Sequence, residues 1–155
     1  MVQLPEDLAS WLGIVDELNA LAVALVALTA RAVYEAAGEL SLLQWRALVE
    51  LDAGGPLRLG DLAARLPSSM PATSRLVKRM TERGLLATRP VPADRRGVSV
   101  QLTAKGRTLH AAVVDRRRDL IAEGVGSASL PAGLHAGLAI LGGRLRARSL
   151  ATADA

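Results

Sequence analysis

The chain of 155 residues contains no cysteine and no phenylalanine, and its aromatic side chains are Trp11, Tyr34 and Trp45. Without a thiol there is no disulfide framework, no thiolate metal site, no cysteine nucleophile and no thiol redox sensor. Scarce aromatics leave Leu, Val and Ala to fill the interior, and half the residues are hydrophobic, ample for a packed core. A chain this long is one domain, or two small ones sharing a core. The most apolar run, Ala20 to Leu28, soon meets Thr29 and Arg31 and is too short to span a bilayer. No basic segment followed by an apolar stretch opens the chain, so no secretory signal is visible. A soluble cytoplasmic protein with no membrane partner is the expectation.

Charge is sparse at the start and concentrated in the middle. Residues 1–40 hold one arginine against six carboxylates, residues 41–105 hold 11 basic against 5 acidic groups, and residues 106–155 hold seven arginines against four acids. A basic middle suits a surface facing a polyanion, although a merely solvated face has the same composition.

Periodicity divides the chain further. Residues 6–36 read as one helix, opened by Pro5, Glu6 and Asp7. From Leu18 to Val33 it is apolar on most faces, which predicts burial on several sides, with a second subunit supplying part of the cover. Gly38 and Ser41 mark a stop and a fresh cap, and a second helix runs to about Asp52. After Ala53-Gly-Gly-Pro56, Leu59, Leu62, Ala63 and Leu66 fall at amphipathic helical spacing. A fourth helix spans residues 69–83, with Pro71 in its first turn and Gly84 at its end. Leu85 to Val91 and Gly97 to Leu102 then alternate as strands around a charged tip, Pro92 to Arg96. Thr103 caps a helix to about Gly124, and Pro131 opens a last helix to about Leu150.

Helix, turn, helix and hairpin in this order make a winged helix-turn-helix, whose second helix enters the major groove. Projected at helical spacing, Ala72, Leu76 and Met80 share one side of the fourth helix, with Thr73 and Val77 at its margin. Met70, Ser74 and Lys78 share the other side, beside Arg75. Hydroxyls meet either base type, Arg favours guanine, and Lys serves bases or phosphates. The expected DNA contacts are Ser69, Met70, Ser74, Arg75, Lys78 and Arg79 from the helix. The hairpin adds Arg89, Arg95 and Arg96, one or both of the last two reaching a minor groove. An amphipathic helix with a basic outer face is the plain alternative for this segment.

Three segments carry a resemblance: Leu59-Gly-Asp-Leu-Ala-Ala-Arg-Leu66, Ser74-Arg-Leu-Val-Lys-Arg-Met-Thr-Glu-Arg-Gly-Leu-Leu86, and Asp94-Arg-Arg-Gly-Val-Ser-Val-Gln-Leu-Thr-Ala-Lys-Gly106. They are similar to the MarR family of bacterial transcriptional regulators, the hairpin followed by Leu-Thr-x-x-Gly most specifically. The resemblance implies a mainly α fold with a small β-hairpin wing. Helices in residues 1–40 and 106–150 would dimerise, residues 41–105 would bind DNA, and residues 151–155 would fray. It further implies a homodimer on a pseudo-palindromic operator, probed by a small phenolic or anionic effector, with repression as the expected action. Met70 and Ala72 depart from the polar or β-branched residues common there, so no base preference carries over. The missing cysteine excludes the family's peroxide-sensing thiol.

Other chemistries find little support. His110 and His135 would have to converge with Asp115 or Glu123 to hold zinc. No catalytic constellation and no phosphate loop is present, so neither enzyme activity nor a cofactor is expected. In Arg116-Arg117-Arg118, consecutive helical residues point three ways. Trp11 and Trp45 are candidate pocket residues, although large apolar side chains belong more often to a core. The alternative function is a ligand- or protein-binding module that keeps the fold without specific DNA recognition; a nonspecific architectural DNA binder is a third.

Overall fold

The computed structural model describes residues 8–91 and 94–151, with the side chains of residues 8–11, 94–96, 146 and 148–151 outside that description. The elements are α1 (Leu8–Ala37), α2 (Leu42–Gly54), β1 (Leu57–Arg58), α3 (Leu59–Arg65), α4 (Met70–Glu82), β2 (Leu86–Val91), β3 (Asp94–Leu102), α5 (Ala104–Val125) and α6 (Leu134–Ala151). The protein is mostly helical with one small antiparallel sheet, ordered β1-β3-β2. The expected fraying of residues 151–155 falls almost wholly outside the described residues.

Local chemistry explains the boundaries. Gly38 ends α1 at φ 60°, a left-handed conformation that favours glycine. Ser41 then builds a capping box: its Oγ accepts from the Gln44 amide at 3.2 Å, while Gln44 Oε1 accepts from the Ser41 amide at 2.9 Å. Three features differ from the sequence expectation. A two-residue strand, β1, joins the sheet, too short to carry a period. β3 begins at Asp94, so Asp94, Arg95 and Arg96 of the expected tip belong to the strand's backbone, while Pro92 and Ala93 lie outside the described residues. The start of α6 at Leu134 lies three residues beyond Pro131, because helical pairing there begins only with the Leu134 amide bonding to the Pro131 carbonyl.

The core joins every element from α2 to α5, with Leu48, Leu62, Met80, Leu85, Leu86, Val100 and Val113 fully enclosed. The α1 helix is largely exposed within one chain. Among the described side chains of α1 only Ala32 and Val33 are buried, while Val23 is 72% and Val26 60% exposed. The stretch Leu12–Ala37 has a mean hydropathy of 1.8 and, by length and composition, could cross a bilayer, correcting the estimate based on its longest unbroken apolar run. Thr29 donates its hydroxyl proton to the Leu25 carbonyl at 2.7 Å, and the helix runs on to Ala37.

The C-terminal half of α1 packs on α5. Glu35 joins the two, bonded to Arg31 Nε at 2.6 Å and to Arg116 Nε at 2.5 Å, and Arg116 continues to Glu123 at 3.2 Å. The hydrogen bonds from Arg31 and then Arg116 hold the Glu35 carboxyl below the usual carboxylate range. In the arginine run, Arg118 instead pairs with Asp115 at 3.4 Å, while Arg117 Nε is sealed without a partner.

Candidate nucleic-acid interface

The helix pair begins with an ionic joint. Glu50 of α2 is buried, bonded to Arg46 Nη2 at 2.7 Å and lying 3.9 Å from Arg65 Nη1 of α3. A carboxylate removed from water needs such partners, so α3 is held against α2 by the arginine of its Asp-Leu-Ala-Ala-Arg segment. Leu62 and Leu66 close the apolar side of the same joint.

The α4 helix then presents two distinct faces. Thr73, Leu76, Val77 and Met80, at i, i+3, i+4 and i+7, are buried. Ser69, Met70, Ser74, Arg75, Lys78 and Arg79 are exposed together. The stripe is rotated toward Thr73 and Val77 relative to the sequence projection, leaving Ala72 half-buried, because α4 packs against both α3 and β2. Lys78 Nζ lies 4.0 Å from Glu82 Oε1, an exposed pair that a phosphate can readily displace. Among the described residues no ion pair engages Arg75 or Arg79.

Thr73 is fully buried and its hydroxyl has no partner. An unmade buried hydrogen bond carries its full desolvation cost. Thr73→Val is therefore expected to stabilise the protein by about 1 kcal/mol, with circular-dichroism melting rising by roughly 2–4 °C. A lowered midpoint would contradict this reading.

The hairpin stands beside α4. Between them runs a groove of about 280 Å³ lined by Ser74, Lys78 and Thr88. Arg89 is exposed on β2; the side chains of Arg95 and Arg96 lie outside the described residues. On the sheet's other face, Arg58, Ser99 and Arg89 share one cross-strand row. Sequence reasoning singled out Arg89 but not its row neighbours Arg58 and Ser99, because their relation exists only once β1 has paired.

The segment Leu102 to Gly106 fastens the unit to α5. The Thr103 hydroxyl lies 2.7 Å from the Gly84 carbonyl and 3.1 Å from that of Leu85, sharing its proton between them, and accepts from the Gly106 amide at 3.0 Å. The Thr103 amide donates to the Leu85 carbonyl at 3.1 Å, and Lys105 Nζ to the Arg83 carbonyl at 2.9 Å. Three successive carbonyls at the end of α4 are thus held by the start of α5, which explains the Leu-Thr-x-x-Gly pattern physically.

Trp45 is buried and stacked on His110, ring centroids 4.8 Å apart at 18°. His110 Nδ1 lies 3.6 Å from Asp52 Oδ2, so this histidine ties α2 to α5. The side chain of Trp11 lies outside the described residues. His135 is exposed on α6, and among the described residues no three metal-ligating side chains gather.

A MarR family model matches residues 39–97, the span from just before the α2 cap into β3. RV1404 from Mycobacterium tuberculosis is 30% identical, with a TM-score of 0.75 over 88% of this chain and 92% of its own. A MarR family protein from Bacillus stearothermophilus is 21% identical, with a TM-score of 0.72 over 92% of this chain and 94% of its own. BpsR of Bordetella bronchiseptica, whose DNA binding is regulated by 6-hydroxynicotinic acid, is 22% identical, with a TM-score of 0.59 over 84% of this chain and 98% of its own. No curated protein sequence matches at a significant level.

Proposed function

Because this chain belongs to the MarR family, we propose that it is a DNA-binding transcriptional regulator, a homodimeric repressor acting on a pseudo-palindromic operator. The observation that carries the reading is the exposed α4 face of Ser74, Arg75 and Lys78, held beside a two-stranded wing. Ser69, Met70, Ser74, Arg75 and Lys78 face base edges and phosphates in the major groove, Arg79 and Arg89 flank them on phosphates, and Arg95 or Arg96 enters the adjacent minor groove. The helices of residues 1–40 and 106–150 join two copies. No enzymatic activity, metal or cofactor belongs to this reading, and the protein acts in the cytoplasm.

Release by a small phenolic or anionic molecule completes the proposal, supported by the regulation of BpsR by an aromatic acid. Trp11 and Trp45 are the fluorescent reporters for such binding, and Trp45 senses it through the stacked His110 between α2 and α5.

Gel shift of the chain's own upstream intergenic DNA against competitor tests the function. Specific binding is expected to exceed nonspecific binding by about 10³-fold or more at physiological salt. The Arg95→Ala/Arg96→Ala variant should lose most of that affinity, and Lys78→Ala should flatten the salt slope by roughly one unit per subunit. Wild-type affinity in the double variant would remove the wing from the interface. Absence of any specific band at low salt would favour a binding module that retains the fold alone.

A further inference from the structure

A wing inserted in a minor groove is straddled by two sugar-phosphate backbones, one on each side. The α4 side of the sheet meets the first, across the groove of Ser74, Lys78 and Thr88. The opposite face carries chemistry of its own. Ser99 of β3 is paired with Arg58 of β1 on one side and with Arg89 of β2 on the other. Residues directly opposite in antiparallel strands project to the same face, so the three side chains form one row. Strands are about 4.8 Å apart, which sets the two arginine roots roughly 10 Å apart, within reach of a single tetrahedral anion for two guanidinium groups.

The surroundings agree. Arg58, Ser99 and Arg89 line one concavity of about 570 Å³, together with Gln101 and Asp61. Arg58 and Arg89 are both exposed, and among the described lining residues they stand with one carboxylate, Asp61. The next row inward, Leu57 with Val100, is buried in the core, so the row cannot turn inward without exposing apolar surface. Arginine at both ends of a fixed row suits a phosphate oxygen set better than a flexible lysine would.

We propose that Arg58, Ser99 and Arg89 form an oxyanion seat on the outer face of the wing that holds a phosphate of the duplex backbone beyond the minor groove. This rests on the DNA-binding reading above and extends it to a strand that α4 does not touch. The seat makes each wing a two-sided clamp. It adds backbone affinity without base preference, because phosphates position a protein and bases specify its site.

Salt-dependent anisotropy and ethylation interference on the footprinted upstream duplex test the seat. Arg58→Ala is expected to lower the salt slope by roughly 0.9 per subunit, as one phosphate contact is lost. It should also erase interference at the outermost phosphates while leaving the central ones. Ser99→Asp, which sets a carboxylate between the two arginines at a half-buried position, should do the same and serves if Arg58→Ala melts early. Wild-type slope and an unchanged interference pattern in both variants would overturn the seat while the DNA-binding reading stood. No specific complex with the wild-type protein would overturn both. Calorimetric titration of inorganic phosphate distinguishes the remaining source: saturable heat lost in Ser99→Asp, with duplex binding unchanged, would assign the seat to a free anion and overturn the duplex assignment.

Discussion

Gly106→Ala is expected to lower the melting midpoint by on the order of 10 °C, from a cost of about 3 kcal/mol in a chain of this size. A Cβ at this position would stand 2.1 Å from the Leu85 carbonyl oxygen, 3.1 Å from the Leu85 carbonyl carbon and 3.4 Å from Leu102 Cδ2. The first two are backbone atoms and cannot rotate away. To make room, α5 must withdraw from Leu85, and that movement breaks the Thr103 amide bond to the same carbonyl and pulls the Thr103 hydroxyl from Gly84. The overlap and the lost hydrogen bonds therefore act together. Gly124→Ala in the same helix supplies the comparison: nothing lies within 4 Å of its Cβ, so reduced unfolded-state entropy should give a gain of about 0.5–1 kcal/mol. A Gly106→Ala midpoint within about 2 °C of wild type, less than a 1 kcal/mol effect, would refute the close approach. Binding should suffer too, because the same carbonyls position the end of α4 relative to α5.

The same residues show why some of the molecule was legible in the sequence and some was not. Leu59, Leu62, Ala63 and Leu66 announce α3 because burial on one side of a helix imposes a local period, and Gly84 and Thr103 announce boundaries because turns and caps demand particular residues. The outward face of α4 followed from the same logic, with an error of a fraction of a turn at Ala72. The row of Arg58, Ser99 and Arg89 was not legible, since it depends on the pairing of three strands from segments about 30 and 10 residues apart rather than on any local pattern. The close approach at Gly106 was equally hidden: glycine there signals a constraint, and only the position of Leu85 shows what the constraint is. For Trp45 the sequence offered two environments, pocket or core; its side chain is buried and stacked on His110.

Val26→Asp combined with Ile140→Asp is expected to convert a dimer into monomers and to weaken operator binding by about 10²–10⁴-fold, the range lost when two linked sites bind separately. In the single chain Val26 is 60% and Ile140 59% exposed, and Leu12, Ile14, Leu21, Leu138 and Leu145 accompany them on α1 and α6. Soluble monomers rarely show a contiguous apolar patch beyond a few hundred Å² (roughly 300–600 Å²), so these two helices require cover. A bilayer is one physical candidate, given the length and hydropathy of Leu12–Ala37. It fits poorly with what α1 touches. The C-terminal half of that helix lies on α5, whose Arg116, Arg118, Asp115 and Asp119 would be drawn into hydrocarbon with it, along with the Glu35 ion pairs. It would also leave α6 uncovered, because the apolar stretch Leu134–Leu145 is too short to span. A second copy would cover both helices and set two wings at a fixed spacing. Light scattering should therefore give twice the mass of the 16.2 kDa chain for wild type, and a single mass for the double variant with its helical content retained. A monomeric wild-type protein, or one that sediments with lipid vesicles, would defeat the dimer; an aspartate variant that stays dimeric would place the interface elsewhere.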